Sequence, residues 1–261
     1  GLYQQPFVDL KGTTLELAHR NSQTSVPFLQ SSSGYGFLWN NPATGAATFG
    51  RNYTEWTSEA ADQLDYWVTV GATPREISDA YAGVTGRPPM MPEHGLGFWQ
   101  CKLRYWNQEQ LLEVAREHHR RGIPLDVIVA DFFHWQWMGD YSFEEEFWPD
   151  PGAMVRELKE LGVELMVSVW PQVSPNSDNF LPLQKENLLV KTRTGIDVQY
   201  HFVDQYTRFL DVTNPRARTW LWERLQESYG RHGIDLFWLD EAEPEYGAYE
   251  FDHYLYAAGP T

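Results

Sequence analysis

The sequence predicts an α/β protein in which a parallel sheet covered by helices follows a segment of antiparallel strands. Short runs rich in Thr, Ser, Tyr and Phe, broken by Gly, Asn and Pro, fill residues 1 to about 90. Beyond them, apolar runs such as LDVIVAD and VELMVSVW alternate with helical patterns that carry one apolar stripe. Strands that are apolar on both faces and alternate with one-sided helices are typical of a parallel sheet.

The N-terminal segment ends at a cluster of prolines. Its runs, among them SSSGYGFLWNNPATG and QLDYWVTVG, have the pattern of antiparallel strands joined by tight turns. The stretch RPPMMPEHG, from Arg87 to Gly95, interrupts this pattern, because clustered prolines disfavour both helices and strand pairing. We therefore predict one domain with its linker over residues 1–87 and a second over residues 88–261.

Three helices are predicted in the second domain, each with a polar N-cap and each followed by a glycine before the next strand. The predicted N-caps are Asn107, Asp150 and Asn214. Proline follows two of these caps at the first helical position, where a missing N–H costs nothing. The glycines between helix and strand are Gly122, Gly162 and Gly233, at positions that favour a left-handed backbone.

Polar and aromatic residues follow the predicted parallel strands. These residues are, in chain order, Lys102, Arg104 and Tyr105, then Asp131, then Trp170, then Asp240. An open doubly wound sheet and a (β/α)8 barrel both fit the pattern, but no glycine-rich phosphate loop follows the first strand, which weighs against the nucleotide-binding open sheet. In a barrel, functional residues gather at the carboxyl ends of the strands, so we expect these side chains to share a pocket.

Composition and charge exclude several classes of function. Twenty basic and thirty-six acidic residues give a formal net charge of −16, which repels nucleic acid and anionic membrane surfaces. No stretch approaches the roughly 20 apolar residues of a membrane span, and no leader pattern begins at Gly1. The single cysteine, Cys101, excludes an internal disulfide, and we expect it to be a small buried residue. The compartment stays open, with the cytoplasm preferred.

Asp131 and Asp240 are the candidate catalytic pair on the residues alone. Two carboxylates from separate strands that face one cleft are the minimum for glycoside hydrolysis, one as nucleophile and one as proton donor. The alternative is that both aspartates have no catalytic role and are only the polar residues at which the strands end. The twelve Trp, fourteen Tyr and fourteen Phe suit a sugar ligand, although an aromatic core explains them equally well. Glu243, three residues past Asp240, either orients a neighbour or faces water.

A metal site and a serine or cysteine nucleophile are weaker alternatives. Asp131 and His134 are metal-ligand types, but further ligands at a recognisable spacing are missing from the sequence. His118 and His119 are adjacent on a helix and point to different faces. There is no G-x-S-x-G motif, and Cys101 has no evident base partner. We expect no metal and no other cofactor.

The motif WLDEAEPE around Asp240 resembles the nucleophile signature of glycoside hydrolase family 31. GFWQCKLRY and GIPLDVIVADFFHW resemble the first two barrel strands of that family, and FWPDPGAMVRELKELGVELMVSVWP resembles the next helix and strand. FLDVTNPRARTWLWERL resembles the approach to the nucleophile strand, while KGTTLELAHRN and VPFLQSSSGYGFLWNN resemble the end of its N-terminal β-sandwich. The resemblance implies the first half of a (β/α)8 barrel preceded by part of an antiparallel β-sandwich domain.

The resemblance also assigns roles to the candidate residues. It implies that Asp240 is the nucleophile that forms a covalent glycosyl-enzyme, with Glu243 as a second catalytic residue. It implies that Asp131 binds sugar hydroxyls instead of donating the proton, which replaces the pairing drawn from the residues alone. The other implied substrate-binding residues are Trp170, Trp238, Phe133, His134 and Trp135, with Trp137 in the same aromatic loop and with Lys102, Arg104 and Tyr105 at the rim.

Within the family, the blocks resemble the α-xylosidases most, with α-glucosidase as the alternative. The implied function is that of a retaining, exo-acting α-glycosidase that acts on xylosyl-glucose oligosaccharides derived from xyloglucan. The acid/base of the family is an Asp from beyond the nucleophile strand, and four strands do not close a barrel, so we expect a fragment of a larger hydrolase. An inactive polypeptide that only binds sugar is the alternative from another class. The expected partner is an oligosaccharide, and self-association of the full-length protein stays open.

Overall fold

The computed structural model describes residues 9–19, 24–192, 194–195, 199–202, 205–242 and 254–260. These residues form two units, and each is internally packed. The first unit comprises the described residues up to Pro89 together with those of Lys191–Gly195 and 254–260, and the second comprises Met90–Val190 and the described residues of Ile196–Ala242. In the described part of the chain, no helix is long and apolar enough to cross a membrane.

Two antiparallel sheets of three strands make up most of the first unit. The strands are β1 (Thr13–Leu17), β2 (Phe28–Ser31), β3 (Tyr35–Trp39), β4 (Gly45–Phe49), β5 (Thr54–Ser58) and β6 (Tyr66–Val70), in the orders β1-β4-β5 and β2-β3-β6. The ring of Phe37 on β3 lies 5.0 Å from that of Trp56 on β5, so the sheets pack against each other. The predicted antiparallel strands are confirmed, while their membership of a larger sandwich domain stays a prediction.

The first unit also contains a helix, α1 (Pro74–Thr85), which the sequence analysis missed. The hydroxyl of Thr73 accepts the N–H of Glu76 at 3.3 Å, and the Glu76 carboxylate accepts the N–H of Ala72 at 2.7 Å. The sequence TPRE therefore caps the N-terminus of the helix with two side chains, Thr73 and Glu76, and it has proline at the first helical position. Helix α1 was missed because its short capping sequence stands within strand-like composition, and the segment remains rich in β-strands as predicted.

A parallel sheet of four strands is the centre of the second unit. Its strands are β7 (Trp99–Gln100), β8 (Val127–Ala130), β9 (Glu164–Val169) and β14 (Leu236–Leu239), and they lie in the order β7-β8-β9-β14. The helices that connect them are α2 (Gln108–Arg120), α3 (Pro151–Glu160) and α5 (Pro215–Ser228). Side chains of all three helices pack in one core with Ile128 and Ala130 of β8 and with Leu165, Val167 and Val169 of β9.

The strand order distinguishes between the two architectures that the sequence left open. Strands that follow one another along the chain are neighbours in the sheet, and α2, α3 and α5 share one core on a single face. The opposite face carries a separate small cluster of Val127, Val129, Met166 and Leu236. A doubly wound sheet reverses its strand order and has helices on both faces, so the doubly wound alternative does not fit this sheet. The arrangement is that of (β/α)8 barrels.

The predicted N-caps are confirmed, and so are the left-handed glycines that precede the strands. The side chains of Asn107, Asp150 and Asn214 accept backbone N–H groups of the first turn at 2.9, 2.8 and 3.0 Å. The three glycines have left-handed backbones, with φ of 63°, 76° and 81° at Gly122, Gly162 and Gly233. Helices α2 and α3 therefore begin and end where their local chemistry predicts, whereas α5 ends at Ser228 and a short 3-10 helix, Gly230–His232, separates it from Gly233.

The segment between β9 and α5 is a folded insertion that the sequence analysis did not predict. It contains β10 (Gln172–Val173), α4 (Phe180–Lys185), β11 (Lys191–Thr192), β12 (Gln199–Phe202) and β13 (Gln205–Phe209). Strands β10, β13 and β12 form an antiparallel sheet, and Val173, Phe180 and Leu183 belong to the core of the insertion. In the first unit, β11 pairs with β15 (Tyr254–Tyr256), which pairs with β16 (Gly259–Pro260). Strands this short give too little alternation to be predicted.

Candidate active site at the strand ends

The residues that directly follow the four parallel strands are Cys101, Asp131, Trp170 and Asp240. Side chains alternate between the two faces of a strand, and Val129, Met166 and Leu236 lie on the face opposite the helices. Residues two positions apart in a strand share a face, so Asp131, Ser168 and Trp238 lie on the same face as Val129, Met166 and Leu236. Asp240, two residues after Trp238, continues on that face. The two aspartates therefore project to the helix-free side, at the same edge of the sheet.

Both carboxylate oxygens of Asp131 have hydrogen-bond donors. Ser168 Oγ lies 2.5 Å from Oδ1, and the backbone N–H of Phe132 donates to the same oxygen at 2.8 Å. The Sγ atom of Cys101 lies 3.4 Å from Oδ2. A carboxylate that accepts three donors keeps one orientation, which suits a residue that binds hydroxyl groups.

Cys101 is exposed, so the expectation of a buried cysteine was wrong. The residue lies past the end of the edge strand β7, where no further strand of the described sheet covers it. Partial burial, together with the charge and the hydrogen bond of Asp131, raises the pKa of the Cys101 thiol to about 11. The group is therefore a thiol at neutral pH and a donor to Asp131, which argues against a cysteine nucleophile.

Asp240 is held by the neighbouring strand and by a tryptophan. Its backbone N–H donates to the carbonyl of Val169 at 3.0 Å, which continues the pairing of β14 with β9. The indole Nε1–H of Trp170 donates to Asp240 Oδ2 at 3.1 Å. Trp170 is buried, and its ring packs against Phe132, Phe133 and Trp135 at centroid distances of 5.3 to 6.0 Å. The Asp240 carboxylate is therefore anchored to a rigid aromatic cluster through one oxygen.

Arg104 is stacked at the edge of this cluster. Its guanidinium carbon lies 3.6 Å from the ring centre of Trp106 and 5.2 Å from that of Phe133. Burial lowers the pKa of Arg104 from its ordinary value. Its Nε atom is buried and has no hydrogen-bond partner among the described residues. The structure thus brings Arg104 and Phe133 together.

His134 lies behind the site instead of facing it. Nδ1 is 2.9 Å from the backbone oxygen of Asp131, and Nε2 is 2.6 Å from the Tyr229 hydroxyl. Because a carbonyl only accepts, Nδ1 carries the proton and Nε2 accepts from Tyr229. Burial lowers the pKa of His134 to about 4, so the ring is neutral at neutral pH. Its sugar contact stays a prediction, and in the structure His134 is buried with both ring nitrogens bonded inside the protein.

The other predicted residues are spread around the strand ends. Trp238 is 45% exposed and pairs in register with Ser168, Trp135 is buried in the aromatic cluster, and Tyr105 is buried in the helical core. Lys102 is exposed and Trp137 is half-buried. Glu243 lies outside the described residues. Within the described part of the chain, no group of three or more His, Cys, Asp or Glu side chains is placed to hold a metal.

The sequence analysis missed Ser168 and the contact of Cys101 with Asp131. The available signal for Ser168 was a single hydroxyl in the apolar run VELMVSVW, two residues before Trp170. Backbone strain marks the same edge of the sheet: Leu103, Phe133 and Glu241 have φ of 63°, 59° and 54°, and each follows the end of a parallel strand by two or three residues. Such conformations cluster at functional sites because surrounding structure must hold them.

This arrangement can carry chemistry on a neutral polar ligand. Strand β9 separates β8 from β14, so the backbones at Asp131 and Asp240 are about 10 Å apart by the usual strand spacing. Two carboxylates at that separation can contact one ring-sized ligand from two sides. The guanidinium of Arg104 lies 5.2 Å from the ring centre of Phe133, so aromatic and polar groups occur together there, as they do in small-molecule sites.

Comparison with known proteins places the chain in a family. Residues 88–257 match the family model of the glycosyl hydrolases family 31 TIM-barrel domain. The whole chain is 54% identical to a protein of Pseudescherichia vulneris named uncharacterized family 31 glucosidase ORF2 and spans 49% of it. Over 93% of the chain, it is 36% identical to α-xylosidase A of Aspergillus niger, of which it spans 33%.

Solved structures give the same result. The crystal structure of a GH31 α-xylosidase from a soil metagenome, complexed with xylose, superposes on the whole chain with a TM-score of 0.94 at 53% identity, and the chain covers 38% of it. A xylosidase from Aspergillus niger superposes with a TM-score of 0.91 at 34% identity, again over the whole chain and 39% of the solved chain. The chain thus spans half or less of these relatives, and it belongs to glycoside hydrolase family 31.

Proposed function

We propose that the protein is a retaining, exo-acting α-glycoside hydrolase in which Asp240 is the nucleophile. The observation that carries this proposal is the Asp240 carboxylate at the carboxyl end of β14, held through Oδ2 by the indole of Trp170. Asp240 attacks the anomeric carbon as the aglycone leaves and forms a covalent glycosyl-enzyme. Water then releases the sugar with its original configuration.

Asp131 binds the sugar that is cleaved. Both of its oxygens accept donors from the protein, so the carboxylate presents its remaining lone pairs in a fixed direction to sugar hydroxyls. Trp170, Phe133 and Trp238 form apolar walls, and Arg104 lies at the rim. Glu243 acts beside the nucleophile. We assign the general acid to no residue of this chain. In this proposal, residues 88–261 are the first half of the barrel, and part of a β-sandwich precedes them.

The preferred substrate is an α-xyloside, such as a xylosyl-glucose oligosaccharide from xyloglucan. Support comes from relatives named α-xylosidase in Aspergillus niger and in Saccharolobus solfataricus, at 36% and 32% identity, and from the α-xylosidase that was solved with xylose. An α-glucoside is the alternative, because the relative in Pseudescherichia vulneris is named a glucosidase.

The substrate preference is tested by rates of nitrophenol release from α-xyloside and α-glucoside substrates by the enzyme. A higher kcat/KM for the α-xyloside supports the proposal, and a higher value for the α-glucoside overturns that part of it.

Asp240→Ala should reduce kcat at least about a thousandfold, in keeping with nucleophile effects. Asp235→Ala is the matched control, because Asp235 is an exposed acid just before the start of the same strand. If neither substrate is cleaved, the alternative of an inactive sugar-binding polypeptide is favoured.

A further inference from the structure

We propose that Ser168 and Cys101 are positioning residues that hold the Asp131 carboxylate from two neighbouring strands in one orientation for the substrate. The inference rests on the proposed function, because it concerns the carboxylate that binds the sugar there.

Ser168 is a buried hydroxyl in a strand whose other buried residues are apolar. It is 1% exposed, and its neighbours Met166, Val167 and Val169 are all buried apolar residues. A buried hydroxyl destabilises a core unless it finds a partner. Its Oγ lies 2.5 Å from Asp131 Oδ1, and because a carboxylate only accepts, Ser168 is the donor. A hydrogen bond to a charged acceptor is among the stronger ones in proteins.

Cys101 reaches the other oxygen from the opposite side. Cys101 follows β7 and Ser168 belongs to β9, and strand β8, which Asp131 follows, lies between β7 and β9. Sγ lies 3.4 Å from Oδ2, so the thiol is a weaker donor than the hydroxyl. With the N–H of Phe132 also on Oδ1, rotation of the carboxylate breaks contacts on both sides. A carboxylate fixed in this way loses little conformational freedom when it binds a sugar.

The first test is a double-mutant cycle on hydrolysis of a nitrophenyl α-xyloside. Ser168→Ala should lower kcat/KM about 10- to 100-fold, the usual range for a hydrogen bond to a charged group. In an Asp131→Ala background, the same substitution should change kcat/KM less than about twofold, because Ser168 acts on the substrate only through Asp131. Ser168→Thr retains the hydroxyl and should restore most of the activity.

The matched control is Ser25→Ala. Ser25 is also a buried serine, but its Oγ has no hydrogen-bond partner among the described residues, so this variant should leave kcat/KM unchanged. Ser168→Ala with wild-type activity, or with an equal loss in both backgrounds, overturns the role of Ser168. Neither of those results affects the proposed function, which fails instead if the wild-type enzyme cleaves no α-glycoside.

The second test follows the Cys101 thiol and needs no turnover. The charge and hydrogen bond of Asp131 contribute to the raised pKa of this thiol, so Asp131→Ala should speed its alkylation by iodoacetamide at pH 8, measured by peptide mass mapping. Saturating xylose should slow alkylation in the wild type. An alkylation rate that is the same with and without Asp131 overturns the role of Cys101. Cys101→Ser should retain activity, and Cys101→Ala should lower kcat/KM about two- to fivefold, as expected for a weak donor.

Discussion

At the scale of single residues, the contact that matters most is the indole N–H of Trp170 on the Asp240 carboxylate. Trp170→Phe removes this donor and retains an aromatic ring against Phe132 and Trp135. We expect kcat/KM to fall about 10- to 100-fold, the range for a hydrogen bond to a charged group. The variant should also lose some stability, because phenylalanine leaves part of a buried tryptophan site unfilled. Trp222→Phe is the matched control, because Trp222 is 54% exposed, and it should retain activity. Equal activities of the two variants would contradict the proposed anchoring.

His134 gives the molecule a pH dependence of stability. Its pKa is about 4 in the folded protein, against an ordinary value of 6.5. Above pH 6.5 the ring is neutral in both states. As the pH falls from 6.5 towards 4, the unfolded chain binds a proton that the folded chain does not, so the free energy of unfolding falls by about 3 kcal/mol in total.

The contribution of His134 is measured by denaturant titrations of the wild type and of His134→Asn between pH 7.5 and 4.5. The variant has no imidazole, so its stability should fall less steeply with acid, whatever its stability at pH 7.5. Identical slopes for the two proteins would show that His134 is not responsible.

At the scale of elements, the loop after β8 carries the aromatic side of the site and is fixed at Gly139. This residue has φ of 90°, and an added Cβ would lie 2.7 Å from Cγ1 and 2.8 Å from Cα of Val173 on β10. The Asn179 side chain also donates to the Gly139 carbonyl at 2.8 Å. The loop is therefore held by close backbone approach to the insertion, which leaves no room for a side chain.

Gly139→Ala should accordingly destabilise the protein by more than about 2 kcal/mol and lower kcat/KM, because both strain and a clash with backbone must be relieved. Gly83→Ala is the matched control. Gly83 lies within α1, and an added Cβ there meets no atom within 4 Å, so alanine should stabilise the protein by about 0.5–1 kcal/mol. Thermal unfolding together with activity at 25 °C separates the two variants. Equal stabilities would show that the approach to Val173 is not a constraint.

Elements with strong local signals could be predicted from the sequence, and those that depend on long-range pairing could not. The caps at Asn107 and Asp150 and the strand that ends at Asp240 follow from local chemistry. Helix α1 had an equally local signal in TPRE, which was overlooked. Strands β10 to β13 depend on pairing between short segments, and no local pattern specifies such a partner.

The candidate site, too, has features that the sequence predicts and features that it does not. That Asp131 and Asp240 share one edge follows from the rule that strand ends of a parallel sheet meet, and the structure places both there. The partners of Asp131 depend on register and side-chain rotamers across β7, β8 and β9, which a sequence does not contain. Ser168 and the exposed thiol of Cys101 were for that reason found only in the structure.

At the scale of the whole molecule, a sheet with sequential strand order and helices on one face directs Asp131 and Asp240 to the other face. The formal net charge of −16 adds a field that disfavours anionic ligands but not neutral sugars. Fold, charge and aromatic lining thus all fit a neutral glycoside that approaches the carboxyl ends of the strands. The central claim is that Asp240 forms the covalent bond to this sugar.

That claim is tested most directly by trapping the glycosyl-enzyme. A fluorinated α-xylosyl fluoride, which forms the intermediate faster than water releases it, is incubated with the enzyme, and the labelled peptide is identified by mass spectrometry. We predict one xylosyl adduct per chain, on Asp240, and none in Asp240→Ala. An adduct on another carboxylate, or turnover of the fluoride with no adduct on Asp240, would contradict the proposed mechanism.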